Sequence, residues 1–330
     1  MKRLTTLLLA VLMLLTCAAC GSSGAGKAET EKEKAGSSGL NIVATVFPEY
    51  DWTREVLGDN PAGADLTLLL DSGVDLHSYQ PTAEDMLKIS SCDVFIYLGG
   101  VSDTWVADAL AGAANKDMQV VNLMEVLGSR VQEEEIVQGM EAEEEEEASD
   151  GPEYDEHVWL SLTNAGMIVS AISEALGQAD PDHADLYAAN AKAYQDQLTD
   201  LDGQYQAAVS ESSFDTLLFA DRFPFRYMTD DYGLNYYAAF AGCSAETEAS
   251  FDTIIFLAGK ADELGLKTIL TIDGSDHSIA ETVASSTASK DLTIAEMDSM
   301  QSVSEEEIAS GVTYLSIMEK NLETLRQALN

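Results

Sequence analysis

Short apolar runs alternate with helical stretches twice along this chain, and that double alternation leaves few folds open. The first set of runs is Ile42–Phe47, Leu66–Leu70, Val94–Leu98 and Gln119–Leu123. Helical patterns near Glu49–Leu57, Thr82–Ser90 and Thr104–Ala113 separate them. The second set is Leu217–Asp221, Asn235–Phe240, Thr268–Ile272 and Leu292–Ala295, with helical stretches at Thr253–Leu264, Ile279–Ser286 and Glu305–Leu329. The runs are rich in Val, Ile and Leu and lack strict polar alternation, as strands covered on both faces do. Strands interleaved with helices predict an α/β chain of two similar lobes with central, mostly parallel sheets. No residue-level repeat relates the two sets.

Between them lies a helical zone. Asn164–Leu176 carries Ala165, Ile168, Ala171, Ile172 and Leu176 at helical spacing. Asp180-Pro181 interrupts, and Leu186–Val209 resumes with Tyr187, Ala191, Tyr194, Leu198 and Leu201, a long helix able to join two lobes. Ser304 with Glu307 forms a capping-box start for the last helix. The domain reading is therefore an N-terminal lobe over residues 40–160, a helical linker over 161–210 and a C-terminal lobe over 211–330.

The first 39 residues belong to neither lobe. Lys2 and Arg3 precede an apolar stretch, Leu7 to Leu15, too short to span a bilayer. Residues 1–20 read as a signal peptide closing on Cys17-Ala18-Ala19-Cys20-Gly21, which resembles a bacterial lipobox with Cys20 as the acylated residue. Plain secretory cleavage beside an incidental cysteine is the alternative. Residues 21–39 are Gly, Ser, Ala, Lys and Glu without an aromatic residue, the composition of a flexible tether. The protein is expected on the extracytoplasmic face, anchored to the cell membrane and not embedded in it.

The formal net charge is −41, which disfavours nucleic acid as a partner and attracts cations. Part of it sits in an acidic insertion over residues 132–156, with Glu143 to Glu147 in one block. Self-repulsion predicts a mobile loop there. Carboxylates alone bind transition metals with little selectivity, so a solvated linker outweighs a cation collector. Cys92 and Cys243 fall in different halves of the chain, which argues against a disulfide framework.

The chain has four histidines, and two stand in informative places. His77, in Asp75-Leu76-His77-Ser78-Tyr79-Gln80-Pro81-Thr82, follows an apolar strand run and precedes a helix that Thr82 can cap. Ligands of open α/β sheets bind beyond the carboxyl ends of strands, so His77 is a candidate metal ligand. A loop histidine bonded to backbone is the bland alternative. His157 follows Asp155-Glu156 and precedes Val158-Trp159-Leu160, where the acidic loop re-enters the core. A carboxylate beside it can take the proton of its second ring nitrogen and fix the tautomer for metal. A surface histidine among acids is the competing reading. His183, after Asp180-Pro181-Asp182, reads as solvent-exposed. HExxH, a Gly-rich phosphate loop and a GxSxG elbow are all absent, so no enzyme motif competes well.

Together these segments resemble the metal-binding subunits of zinc and manganese ABC importers, the cluster A-I solute-binding proteins. The resemblance rests on Ile42-Val43-Ala44-Thr45-Val46-Phe47-Pro48, the His77 segment, Asp155–Ser161, Tyr232-Gly233-Leu234 and Tyr314–Leu322. It covers about Asn41 to Asn330. It implies that His77 and His157 are the first two metal ligands, from the N-terminal lobe. The family places its third ligand, His or Glu, five residues before a tyrosine; here Arg222 stands five before Tyr227. A guanidinium cannot ligate a cation, which leaves Asp221 as the chemical candidate, or a partner of Arg222. Asp273 corresponds to the family's acidic fourth position. His277, four residues on, is a further candidate to replace the missing imidazole, against a surface histidine at a helix start.

The resemblance implies an extracytoplasmic receptor that captures zinc, or alternatively manganese, in a cleft between the lobes. It would deliver the ion to a membrane permease driven by an ATPase. It implies no chemical turnover. A surface adhesin and a zinc-dependent hydrolase remain as alternatives.

Overall fold

All eight predicted strands occur, and they form two sheets of identical order. Asn41–Ala44 (β1) lies between Asp65–Leu68 (β2) and Val94–Tyr97 (β3), with Gln119–Asn122 (β4) outside β3. Thr216–Phe223 (β5) lies between Asn235–Ala241 (β6) and Thr268–Ile272 (β7), with Thr293–Met297 (β8) outside β7. Every pairing is parallel. In each sheet the chain starts at an inner strand, moves to one edge and returns to the other side. The carboxyl ends of β1 and β3, and of β5 and β7, thus flank a switch point, where open α/β sheets form a crevice. The structure is a computed structural model describing residues 39–141, 153–244 and 248–330. The signal-peptide and Cys20 readings, nearly all of the tether and residues 142–152 of the acidic insertion lie outside the described residues.

Helices cover both sheets. In the first half they are Phe47–Leu57 (α1), Ala83–Ser91 (α2), Val106–Gly112 (α3) and Leu123–Leu127 (α4). Leu162–Ala179 (α5) and Ala184–Ser210 (α6) form the central pair, followed by Arg226–Tyr232 (α7), Phe251–Leu264 (α8) and Ser278–Ser286 (α9). Glu305–Ala309 (α10) and Tyr314–Ala328 (α11) end the chain. Local chemistry fixes their starts. Thr82 accepts from the Asp85 amide while Asp85 accepts from the Thr82 amide at 2.8 Å, a reciprocal cap that satisfies two otherwise orphaned donors. Ser161 caps α5 in the same direction, accepting from the Asn164 amide at 3.0 Å.

Two helical readings need correction. The single helix predicted over Glu305–Leu329 is two, because Gly311 turns at φ 98° and Thr313 then caps α11 anew. Its apolar stripe therefore crosses a turn between Ile308 and Leu315. The five-residue α4, whose Leu123 the sequence reading places in a strand, and the seven-residue α7 have no counterpart there, since such short spans show less than two helical turns of pattern.

α6 buries Tyr187, Ala191, Tyr194, Leu198, Leu201 and Tyr205, a stripe at helical spacing. It packs on α1, α5 and α11, so elements of both halves share its face. One hydrophobic core runs from Val43 and Phe95 in the first sheet through Trp159 to Phe219 and Leu322 in the second half. A smaller core lies between the second sheet and α8–α9, around Leu218, Phe240, Leu257 and Val283. Trp159 joins the halves directly. Its Nε1 donates to the Ser299 carbonyl at 2.9 Å, and its own carbonyl accepts from the Tyr314 hydroxyl at 2.6 Å.

Candidate metal centre

The loop after β2 and the chain entering α5 bring two imidazoles face to face. The Nε2 atoms of His77 and His157 lie 3.3 Å apart. The opposite side of each ring explains why. His157 Nδ1 is 2.9 Å from Asp155 Oδ1, and the same oxygen accepts from the His157 amide at 2.8 Å. A carboxylate there accepts the Nδ1 proton and leaves Nε2 with its lone pair. His77 Nδ1 is 3.1 Å from Ser102 Oγ, which itself donates to Glu156 Oε2 at 2.5 Å. Because the serine proton is committed to Glu156, its oxygen accepts from His77 Nδ1–H. Both Nε2 lone pairs then converge. Tetrahedral zinc with Zn–N bonds of about 2.0–2.1 Å needs nitrogens about 3.3–3.4 Å apart, and two facing lone pairs call for a cation between them.

The surroundings hold this arrangement in place. Glu156 Oε1 also accepts from the Ser102 amide at 2.8 Å. Burial alone would raise the Glu156 carboxyl, but hydrogen bonds from His77 and Ser102 hold it below its ordinary value. Burial would likewise depress His157, which is fully buried; the charge and hydrogen bond of Asp155, with Glu156 and Gln301, instead raise it. Two glycines make the room. A Cβ at Gly100 would sit 1.9 Å from Glu156 Oε1, and one at Gly242 would sit 3.0 Å from the His157 ring.

Across from the imidazoles, the second sheet contributes its own carboxyl ends. Asp75, His77, Asp221, Arg222 and Asp273 line one cleft of about 490 Å³. The carboxylates are engaged there. Asp221 Oδ1 accepts from the Arg222 amide at 2.8 Å and its Oδ2 from the Ile272 amide at 3.3 Å. Asp273 Oδ1 accepts from the Ser299 amide at 2.6 Å and hydroxyl at 2.7 Å, and its Oδ2 from the Ser302 hydroxyl at 3.1 Å. The β5–β6 register shifts between Phe219 and Arg222, as strands do when they re-aim side chains beside a site. Arg222 reaches over the cleft and donates to Asp75 Oδ2 at 2.8 Å. Asp75 is half-buried, and that guanidinium holds its carboxyl below the usual range against the effect of burial.

Of the five residues read from sequence as metal-ligand candidates, the structure joins His77 to His157. Asp221 and Asp273 line the cleft with His77, their oxygens bonded to neighbouring amides and hydroxyls. His277 begins α9 at φ 62°, half-exposed, with Nε2 4.0 Å from Glu296. His183 pairs locally with Asp180 at 2.6 Å. Sequence reading passes over Cys243. Its sulfur and one nitrogen from each of His77 and His157 lie within 4.8 Å of one another. The available signal was its place two residues beyond β6, at a strand's carboxyl end. Burial, with Glu134, Asp155 and Glu156 nearby, pushes this thiol well above its ordinary value.

The acidic insertion departs from the mobile loop expected of it at both described ends. Glu133 bridges antiparallel to Tyr154, and Arg226 donates to Gln132 Oε1 at 3.0 Å and to the Glu133 carbonyl. Tyr227 donates to the Asp155 carbonyl at 2.8 Å, and Glu134 accepts from the Cys243 amide at 3.1 Å. The feet of the insertion are thus tied to α7 and to the end of β6.

The family described as ZnuA, "Zinc-uptake complex component A periplasmic", matches residues 42–328. The chain is 30% identical to the zinc-binding lipoprotein AdcA of Streptococcus pneumoniae (strain R6) over 99% of its own length and 61% of that protein. It is 28% identical to the high-affinity zinc uptake system protein ZnuA of Bacillus subtilis, over 99% of this chain and 98% of the relative. Against zinc-binding protein AdcA of Streptococcus pyogenes it spans 55% of the relative's length. The Zn(II)-bound ZnuA-like domain of S. pneumoniae AdcA superposes with a TM-score of 0.69 at 28% identity, covering 88% of this chain and 99% of that one. The metal-dependent lipoprotein YcdH of B. subtilis gives a TM-score of 0.71 at 27% identity, with coverage of 88% and 99%. With the family profile running through both lobes and the paired histidines at their junction, the chain belongs to the ZnuA family of zinc-uptake solute-binding proteins.

Proposed function

We propose that this chain is the extracytoplasmic zinc-binding component of an ABC importer, tethered through Cys20 and delivering its ion to a membrane permease with an ATPase partner. The observation that carries the reading is the pair of Nε2 atoms 3.3 Å apart, each with its Nδ1 turned to a carboxylate or to a serine bonded to one. Carboxylate and serine acceptors at Nδ1 orient the imidazoles and raise their basicity toward metal. The names of the relatives, zinc-binding and zinc-uptake proteins, support zinc as the cargo. Imidazole suits zinc, whereas manganese prefers oxygen donors.

In this proposal Asp273 supplies negative charge from the opposite lobe, reducing the net charge of a +2 ion held in a partly dry cleft. Asp221 and His277 stay outside the ligand set, the first because both its oxygens accept backbone amides, the second because it lies beside Glu296. Binding and release are the whole cycle; no bond of the cargo is made or broken.

Metal analysis and competition titration of the purified protein test this. The expected result is one zinc per chain, with His77→Ala and His157→Ala each weakening zinc by at least about 100-fold. Unchanged affinity in both variants would remove the site. In cells, deletion should impair growth in zinc-poor medium, and added zinc should restore it.

A further inference from the structure

We infer that Cys243 is the third metal ligand, completing a two-nitrogen, one-sulfur set with His77 and His157 that makes the site prefer zinc over manganese. The inference rests on the zinc-capture reading above and adds to it the donor that the second lobe supplies.

Geometry comes first. One nitrogen of each histidine and the Cys243 sulfur lie within 4.8 Å of one another, and the two Nε2 atoms are 3.3 Å apart. Around tetrahedral zinc, bonds of about 2.0–2.1 Å to nitrogen and 2.3 Å to sulfur place nitrogen and sulfur about 3.5 Å apart. The 4.8 Å bound exceeds this by at most about 1.3 Å, within the swing of a cysteine side chain. The backbone is already brought near. Gly242, next to Cys243, lies against the His157 ring so closely that a Cβ there would meet it at 3.0 Å. Glu134 accepts from the Cys243 amide at 3.1 Å and holds the turn after β6 against the foot of the acidic insertion.

Topology gives the second argument, independent of distance. The two sheets have the same order, so β6 in the second corresponds to β2 in the first. His77 is carried by the segment after β2, and Cys243 by the segment after β6. Each lobe therefore offers a donor from the same place in its architecture.

The third argument is what else the second lobe can offer. Arg222, at the position where the resemblance puts a third ligand, is cationic and donates to Asp75. Asp221 accepts from two backbone amides. Cys243 supplies the missing donor from a different strand. Read only as packing, Cys243 would be a small apolar filler like fully buried Cys92. It is instead half-buried, beside two imidazoles.

A thiolate changes what the site selects. Soft sulfur with two imidazoles suits zinc and disfavours manganese, which binds preferentially through oxygen.

The test uses cobalt chloride, zinc and manganese with the full chain. Cobalt-loaded wild type should show thiolate-to-cobalt charge-transfer absorption in the near ultraviolet, and C243S should lose that absorption. C243S should also reduce the zinc-over-manganese preference by at least about 10-fold. On the unaltered protein, saturating zinc should slow alkylation of Cys243 by iodoacetamide, read by mass mapping of its peptide; this arm does not depend on a variant folding. No charge-transfer band in wild type, or alkylation equally fast with and without zinc, overturns the inference. If His77→Ala and His157→Ala still abolish binding in that case, only the sulfur is lost. If they too bind normally, the capture reading falls as well.

Discussion

The two lobes share one sheet order but prepare the cleft in opposite ways. On the first side the donors are locked before any ion arrives: His157 against Asp155, and His77 against Ser102 and Glu156. On the second side the acids are tied to amides and hydroxyls, Arg222 spans to Asp75, and Cys243 stands at the end of β6. The lesson is a division of labour. In the proposed reading, imidazoles held by their own hydrogen bonds set the position of the ion, while the opposing lobe supplies charge. Both lobes also bury acids near their strand ends. Burial and Asp103 raise Glu49 to about 8, and burial and Asp273 raise Asp298 to about 7.

The harshest way to break the comparison is to uncouple the lobes. Trp159 is fully buried and bonded to the Ser299 carbonyl and the Tyr314 hydroxyl. Trp159→Ala should cost about 3–5 kcal/mol of stability in denaturant unfolding, with two separable transitions if the halves lose their common core. A single transition at the wild-type midpoint would show that the shared core is not what couples them.

The buried acids respond to pH with a definite sign. Glu49 has a folded value of about 8 against an ordinary 4.5, so the folded state keeps a proton that the unfolded chain has released. Stability is therefore full below about pH 4.5 as far as this group is concerned and is lost as pH rises to about 8. Asp298 acts in the same direction between about 4 and 7. Glu49→Gln should flatten the first-lobe part of that slope by on the order of 2 kcal/mol between pH 5 and 8. An unchanged slope would place the titration elsewhere.

Orientation on the first side is the next target. Asp155→Asn and Glu156→Gln should each weaken zinc about 10–100-fold, since each removes the carboxylate charge that fixes a ring's tautomer, directly at His157 and through Ser102 at His77. Asp221→Asn, on the second side, should change zinc affinity less than about five-fold, its oxygens being bonded to the amides of Arg222 and Ile272. Equal losses on both sides would erase the proposed division. Isothermal titration with a competing chelator reads all three.

The strands were legible because runs such as Val94–Leu98 are buried on both faces and need no partner to be recognised. His77 and His157 were legible because each follows a marked change, one from strand to turn and one from acid to core. Cys243 was not, because nothing in Ala241-Gly242-Cys243-Ser244 says that β6 ends against an imidazole ring. That depends on how two lobes meet. The same is true of Asp221: the sequence offers a carboxylate at a strand end, but only the β5 bulge shows its oxygens turned to backbone. The break at Gly311 was hidden by apolar residues on either side that keep helical spacing across it.

The smallest expected effect is at Arg222, and it tests the second side most directly. Its pair with Asp75 is partly exposed, and such pairs contribute little because water screens them and two long side chains must be held still. Arg222→Ala should therefore cost less than about 1 kcal/mol of stability and shift zinc affinity only a few-fold, with the difference shrinking as salt rises. Arg222→His is the sharper variant. It removes the pair and places an imidazole at the position where the resemblance expects a ligand. If Cys243 and Asp273 fill the two positions that His77 and His157 leave on a tetrahedral ion, the new ring has no vacancy to fill and zinc affinity should stay within a few-fold of that of Arg222→Ala. A gain of ten-fold or more over Arg222→Ala would mean that the second lobe leaves a coordination position open in the native chain, and the contrast between the two sides would then be one of completeness as well as rigidity.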